Sequence, residues 1–268
     1  MLTFLFNRLN TYQDHAPREI AACRLPFIGA SADIPESMLE MMAQAAPIQL
    51  YDSCCAIGDD IAPAIAAAER FSAQQLVVSV GKYCDAGRDE KAAIDSVRAL
   101  SVQCAKSGIE LLLTNRRSFH AEVPVIASKL LRLCKAADVR LAFDAGASHA
   151  SLRALEDFYD LHGQIAAVLL NDNLGREALC PVGHEDYIPG TIPDAMLQPG
   201  YGSAPFVALA DAARQLIPGV PFYINGQKHN HATLDIVLFE TRALLAGKVF
   251  INPAGGYIGK KENGRIIV

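Results

Sequence analysis

Tryptophan is absent from the 268 residues, and no apolar run reaches the length needed to cross a bilayer, about 18 residues. No membrane-spanning helix is therefore expected. A basic excess is also missing: 24 Lys and Arg face 29 Asp and Glu, a formal net charge of −5. Nucleic-acid binding relies on basic patches, so no nucleic-acid partner is expected. No Cys-x-x-Cys occurs. The seven cysteines, Cys23, Cys54, Cys55, Cys84, Cys104, Cys134 and Cys180, are odd in number and irregularly spaced. They read as reduced thiols of a cytoplasmic protein rather than a disulfide framework. The opening MLTFLFNRLN lacks the basic flank and cleavage site of a signal peptide and reads as a strand. No Gly-rich turn follows it, as a dinucleotide-binding sheet would require.

Eight short apolar runs are present: Leu2–Asn7, Pro26–Ala30, Pro47–Asp52, Gln75–Val80, Ile109–Thr114, Val139–Asp144, Ile165–Asn171 and Pro221–Asn225. Several are continuous rather than alternating, the mark of parallel strands buried on both faces. Helical patterns separate them: Tyr12–Cys23, Pro35–Ala45, Asp89–Ser107 and Val123–Ala137, with Asp60–Phe71, His149–His162, Ala204–Ile217 and Ala232–Ala246 completing the set. Acidic residues open the Asp89–Ser107 helix and Gly108 closes it. Eightfold alternation and an apolar content of 51% predict a single α/β domain, a (β/α)8 barrel over residues 1–248. Residues 249–268 read as an extension with a hairpin around Glu262-Asn263-Gly264. The connection Asn173–Ser203 is too long for an ordinary loop and reads as a substrate loop.

In such a barrel the chemistry lies at the carboxyl ends of the strands. Those positions hold Asn7, Arg8, Ser31, Asp33, Asp52, Ser53 and Lys82, then Asn115, Arg116, Asp144, Asn171, Asp172, Asn173, Asn225, Gln227 and Lys228. Amides and carboxylates there suit a sugar, a polyol or another small polar ligand. Asn7, Asn115, Arg116, Asn171, Asn173, Asn225 and Gln227 are the expected ligand-binding residues. Asp144, Asp172, Asp194, His149 and Lys228 are the expected catalytic ones. His184, His229 and His231 read as solvated loop residues before they read as metal ligands or as acid–base partners of Asp194. Cys54 and Cys55 follow a strand, where one thiol can face the mouth.

The segments KAAIDSVRALSVQCAKSGIELLLTN, LRLCKAADVRLAFDAGASHAS, IAAVLLNDNLG and PDAMLQPGYGSAPF, in that order, resemble the xylose-isomerase-like superfamily of sugar isomerases and epimerases. The resemblance is best over residues 70–247. It implies a barrel whose mouth holds one or more divalent ions on Glu, His and Asp. Most of the implied ligand positions are replaced: they fall on Ser79, Thr114, Ala147, Leu169, Met196 and Asn225, while Asp144, Asp172 and Asp194 remain. The expectation is a site without the metal, a retained divalent ion being the lesser alternative. Nuclease-like relatives need a metal cluster and a basic face, neither of which this sequence offers. The resemblance is compatible with a homo-oligomer. The function it implies is metal-independent isomerase-, epimerase- or lyase-type chemistry on a small metabolite. The alternative is a non-catalytic binding or regulatory protein on a degenerate barrel.

Overall fold

The computed structural model describes residues 1–7, 15–80, 90–116, 127–173, 197–226 and 233–248, together with the backbone of four short strands within 250–267. Asp194, Gln227 and Lys228 lie outside the described residues, as do Arg8, Lys82, Met196, His120, His184, His229 and His231.

Eight parallel strands close into a barrel in chain order. They are β1 (Leu2–Phe6), β2 (Ile28–Ser31), β3 (Ile48–Ala56), β4 (Gln75–Ser79), β5 (Glu110–Thr114), β6 (Arg140–Asp144), β7 (Ile165–Leu170) and β8 (Phe222–Ile224). Closure is direct: Leu2, Thr3 and Phe4 of β1 pair with Phe222, Tyr223 and Ile224 of β8. The surrounding helices are α1 (Ala16–Cys23), α2 (Glu36–Ala45), α3 (Ala62–Arg70), α4 (Glu90–Lys106), α5 (Ala127–Ala137), α6 (Ala145–His149), α7 (Ala154–Leu161), α8 (Phe206–Leu216) and α9 (Leu234–Leu245). None among the described residues is long and apolar enough to cross a membrane.

Strand periodicity divides the core in two. Alternate residues face opposite sides of a strand, so each strand needs apolar residues at successive positions. One set, with Phe6, Ile28, Tyr51, Val78, Leu113, Phe143 and Leu170, packs outward against the helices. The other, Leu5, Leu50, Val77, Leu112, Ala142, Ala167, Leu169 and Tyr223, fills the barrel as a separate plug. This explains the continuous apolar runs. It also fixes what comes next: the position two residues beyond a plug residue faces inward again, at the mouth.

Two departures from the sequence expectation bear on the site. The helix expected over His149–His162 begins later, at Ala154, and a separate short helix, α6, precedes it. Asp144 caps α6 by accepting the Ala147 N–H, and the chain breaks at Leu152, whose φ is +59°, before α7 begins. A helix starting immediately after β6 keeps Asp144 and His149 close to the mouth. Strand β3 runs on to Ala56, beyond the expected end at Asp52, with a register shift between those two residues and Cys54 at φ +55°. Beyond the barrel, β9 (Phe250–Ile251) pairs with β10 (Tyr257–Ile258), and β11 (Lys260–Glu262) pairs antiparallel with β12 (Arg265–Ile267). The second pair is the hairpin expected around Asn263-Gly264.

Candidate active site at the barrel mouth

Stepping two residues along the plug-bearing strands gives the mouth. Asn7 follows Leu5, Asp52 follows Leu50, and Ser79 follows Val77. Thr114 follows Leu112, Asp144 follows Ala142, Asn171 follows Leu169, and Asn225 follows Tyr223. Every one of these residues is polar, whereas every plug residue is apolar except for the phenol of Tyr223. A polar layer thus lies on a sealed hydrocarbon floor.

Arg116, two residues past Thr114, organises this layer. Its Nη1 donates to Asp52 Oδ2 at 2.5 Å and its Nε to Asp144 Oδ2 at 3.1 Å. The two carboxylate side chains are 5% and 0% exposed, so solvent screens these ion pairs little. Burial opposes the guanidinium charge, but Asp52 and Asp144 outweigh it and hold Arg116 more firmly protonated than usual. Asp144 Oδ1 is engaged as well, accepting from Asn171 Nδ2 at 2.8 Å and from the Ala147 amide at 2.9 Å. Asp52 Oδ1 accepts the Cys54 amide at 3.2 Å. Across the mouth, Asn7 Nδ2 donates to Asn225 Oδ1 at 2.8 Å.

Three polar atoms in this layer are buried without a hydrogen-bond partner among the described residues: Arg116 Nη2, Asn171 Oδ1 and Asn225 Nδ2. The phenol oxygen of Tyr223, one layer below, is a fourth. Buried polar atoms are nearly always paired, and leaving one unpaired costs about 1–3 kcal/mol.

Other expected site residues have backbone duties. Asn115 holds backbone: its Oδ1 accepts the Asp144 N–H, and its Nδ2 donates to Asp144 O and to Ser148 Oγ. Asn173 Nδ2 donates to Gly146 O. Asp172 is 1% exposed and accepts four amides, those of Asn173, Gly200, Gly202 and Ala204. Burial pushes its carboxyl up to about 6 against the pull of those four donors. Asp172 folds the returning loop onto β7, where its backbone also pairs with Leu197. Asn115 and Asn173, expected to bind ligand, thus also brace α6, and Asp172, expected to be catalytic, also braces the loop. Their neighbours in the same short motifs, Arg116 and Asn171, belong to the polar layer around Asp144.

His149 closes α6, with its Nε2 2.9 Å from Ser203 Oγ and its basicity lowered by burial. Sequence reasoning missed Ser203 altogether. It placed Asp52 and Ser31 at the mouth without roles; Ser31 Oγ lies 3.0 Å from Cys54 Sγ. Burial, with Asp52 adding to it, raises the Cys54 thiol to about 11, which makes it a poor thiolate nucleophile. Asp33 is exposed, and Ser53 Oγ donates to the Val77 carbonyl.

The donors do not fit a hard divalent ion. Thr114 Oγ1 accepts the Arg116 amide, Ser79 Oγ donates to the Arg116 carbonyl, and Asn225 Oδ1 is held by Asn7. Leu169 belongs to the plug. Of the two implied carboxylates among the described residues, Asp172 is taken up by four backbone amides, and Asp144 has three donors on its two oxygens, one of them a cation. Among the described residues no group of three His, Cys, Asp or Glu is placed to hold a metal.

No protein-family model matches the chain, and no curated protein does. Solved structures do. A xylose isomerase domain containing protein from Salmonella typhimurium superposes with a TM-score of 0.67 at 12% identity, over 91% of this chain and 97% of that one. The 3-keto-D-glucoside 4-epimerase from E. coli gives 0.64 at 13%, over 90% and 98%. The probable 3-DHS dehydratase from Bacillus anthracis gives 0.61 at 11%, over 90% and 98%. At such identities the likeness concerns architecture: the chain has the fold of the xylose-isomerase-like TIM barrels.

Proposed function

We propose that this protein receives a small polar metabolite, a sugar, polyol or keto acid, at the barrel mouth and acts on it without a divalent metal. The observation that carries this reading is the set of buried, unpartnered polar atoms on Arg116, Asn171 and Asn225 above a sealed apolar floor. Their chemistry matches vicinal hydroxyl and carbonyl oxygens. Metal independence is supported by the donor set, in which a guanidinium already satisfies the carboxylates. The epimerase and the dehydratase of the same fold lend support to isomerase-, epimerase- or lyase-type chemistry. In this reading Asn7, Asn171, Asn225 and Gln227 position the ligand, and His149, Asp194 and Lys228 are the groups proposed to move protons. A cytoplasmic location belongs to the same proposal and is supported by the odd, irregularly spaced cysteines.

A second reading has its own observation. Both oxygens of Asp144 and both of Asp52 already accept hydrogen bonds, so neither carboxylate is idle as a base. That favours a non-catalytic binding protein. One experiment separates the two. The full chain is screened by thermal shift against sugars, polyols and keto acids, and every hit is followed by NMR with and without EDTA. A hit that is converted equally well in EDTA supports the enzyme reading. A hit that stabilises and is never altered supports the binding reading. Conversion abolished by chelation overturns metal independence, and the absence of any stabilising compound overturns the mouth as a ligand site.

A further inference from the structure

The mismatch between donors and metal has a second side. The carboxylate that the family resemblance assigns to a cation, Asp144, does hold one, and the chain itself supplies it. Arg116 reaches Asp144 through Nε and Asp52 through Nη1, which leaves Nη2 buried and without a partner among the described residues. A planar guanidinium offers its N–H groups as a fixed fork. With two arms bound to carboxylates on β3 and β6, the direction of the third is set. We propose that Arg116 is the built-in cation of this mouth, and that its Nη2 donates to an oxygen of an uncharged ligand bearing hydroxyl and carbonyl groups.

This inference rests on the mouth being a ligand site and narrows the ligand. The charge balance argues against a phosphate ester. Asp52, Arg116 and Asp144 together carry one net negative charge. The amide and hydroxyl groups around them add none. Among these described groups no cationic surplus is offered to a dianion. A neutral carbonyl or hydroxyl oxygen gains a charge-assisted hydrogen bond from Nη2 and meets no such penalty. The guanidinium supplies the positive charge that the resemblance would assign to an ion, at a position fixed by two buried carboxylates.

The first test uses the full chain and free Mn2+ followed by electron paramagnetic resonance. The wild type takes up no Mn2+ that depends on Asp144, because the guanidinium already neutralises the carboxylates. Arg116→Ala, folded by circular dichroism, takes up one ion and loses it when Asp144→Asn is added. Wild-type uptake that Asp144→Asn abolishes overturns the proposal, as does a folded Arg116→Ala protein that takes up none. Where Arg116→Ala does not fold, Arg116→Met keeps the stem and serves the same assay. The second test is calorimetric titration with D-fructose, D-tagatose and D-psicose, and with fructose 6-phosphate. An uncharged ketose binds, and Arg116→Met weakens it about tenfold to a hundredfold, the loss of one hydrogen bond to a charged group. Tighter binding of the phosphate ester, or an uncharged ketose held equally well by Arg116→Met, overturns the proposed contact. If no sugar of either kind binds, the sugar reading of the mouth fails, and the Mn2+ arm still decides whether Arg116 is the cation.

Discussion

Asn115 grips the backbone of Asp144 with both ends of its side-chain amide, accepting its N–H at 2.7 Å and donating to its carbonyl at 2.9 Å. Parallel pairing alone cannot hold the last residue of β6 so firmly, because the chain turns there into α6. The clamp fixes the peptide on either side of the carboxylate, and so fixes the carboxylate.

Asn115→Ala leaves a buried N–H and a buried carbonyl without their partner. Chemical denaturation is expected to show a loss of about 2–4 kcal/mol. Asn115→Asp keeps the acceptor but sets a buried carboxylate oxygen against Asp144 O, and is expected to be no more stable than alanine. Equal stability of alanine and wild type would show that α6 is positioned by other contacts.

Gly146 lies directly beneath the Asn171 side chain, where an added Cβ would overlap Oδ1 and crowd the Asn171 carbonyl. Gly146→Ala is expected to push the amide off Asp144 and to destabilise the fold by about 1–3 kcal/mol. The same substitution at Gly163, which has open space around it, is the control and should be silent to within about 0.5 kcal/mol.

Tyr223 buries a phenol with no hydrogen-bond partner among the described residues. Tyr223→Phe removes an unsatisfied hydroxyl without changing the packing, so stability should rise by about 1 kcal/mol. A drop in stability instead would reveal a bound water or another partner on that oxygen.

Asp172 sets burial against four amide donors, and the sign of its effect on stability can be measured. Its folded value of about 6 lies above the ordinary aspartate value of about 3.9. A raised value means that the folded state holds the proton more tightly than the unfolded chain. The contribution of the protonated carboxyl is therefore complete below about pH 4 and is lost as pH rises through 6. Asp172→Asn abolishes this titration and puts an amide NH2 among N–H donors, so it is less stable throughout. The gap between wild type and Asp172→Asn should be larger at pH 4 than at pH 7, by up to about 3 kcal/mol. A gap that widens with rising pH would mean that the four donors outweigh burial.

The barrel was legible because its signal is local. Runs such as Leu111-Leu112-Leu113 and Val77-Val78 satisfy a plug on one side and helices on the other, and both demands are written in consecutive residues. The polar character of the mouth was legible for the same reason. What strand ends do not reveal is which of two neighbours faces inward. In Asn115-Arg116 and in Asn171-Asp172-Asn173 one residue joins the polar layer around Asp144 and the others hold backbone, and only the register decides between them. Nor does sequence spacing announce that Arg116 meets Asp52, 64 positions away. The break between α6 and α7 was hidden because Ser151-Leu152-Arg153 contains neither Gly nor Pro.

The plug of Leu5, Leu50, Val77, Leu112, Ala142, Ala167, Leu169 and Tyr223 leaves no passage through the barrel axis. Whatever settles on the polar layer must arrive and depart by one doorway. Substituents added to the end of a ligand that faces the floor should be rejected, while extensions at the opposite end find room, so tolerance along a homologous series would reveal which end goes in first.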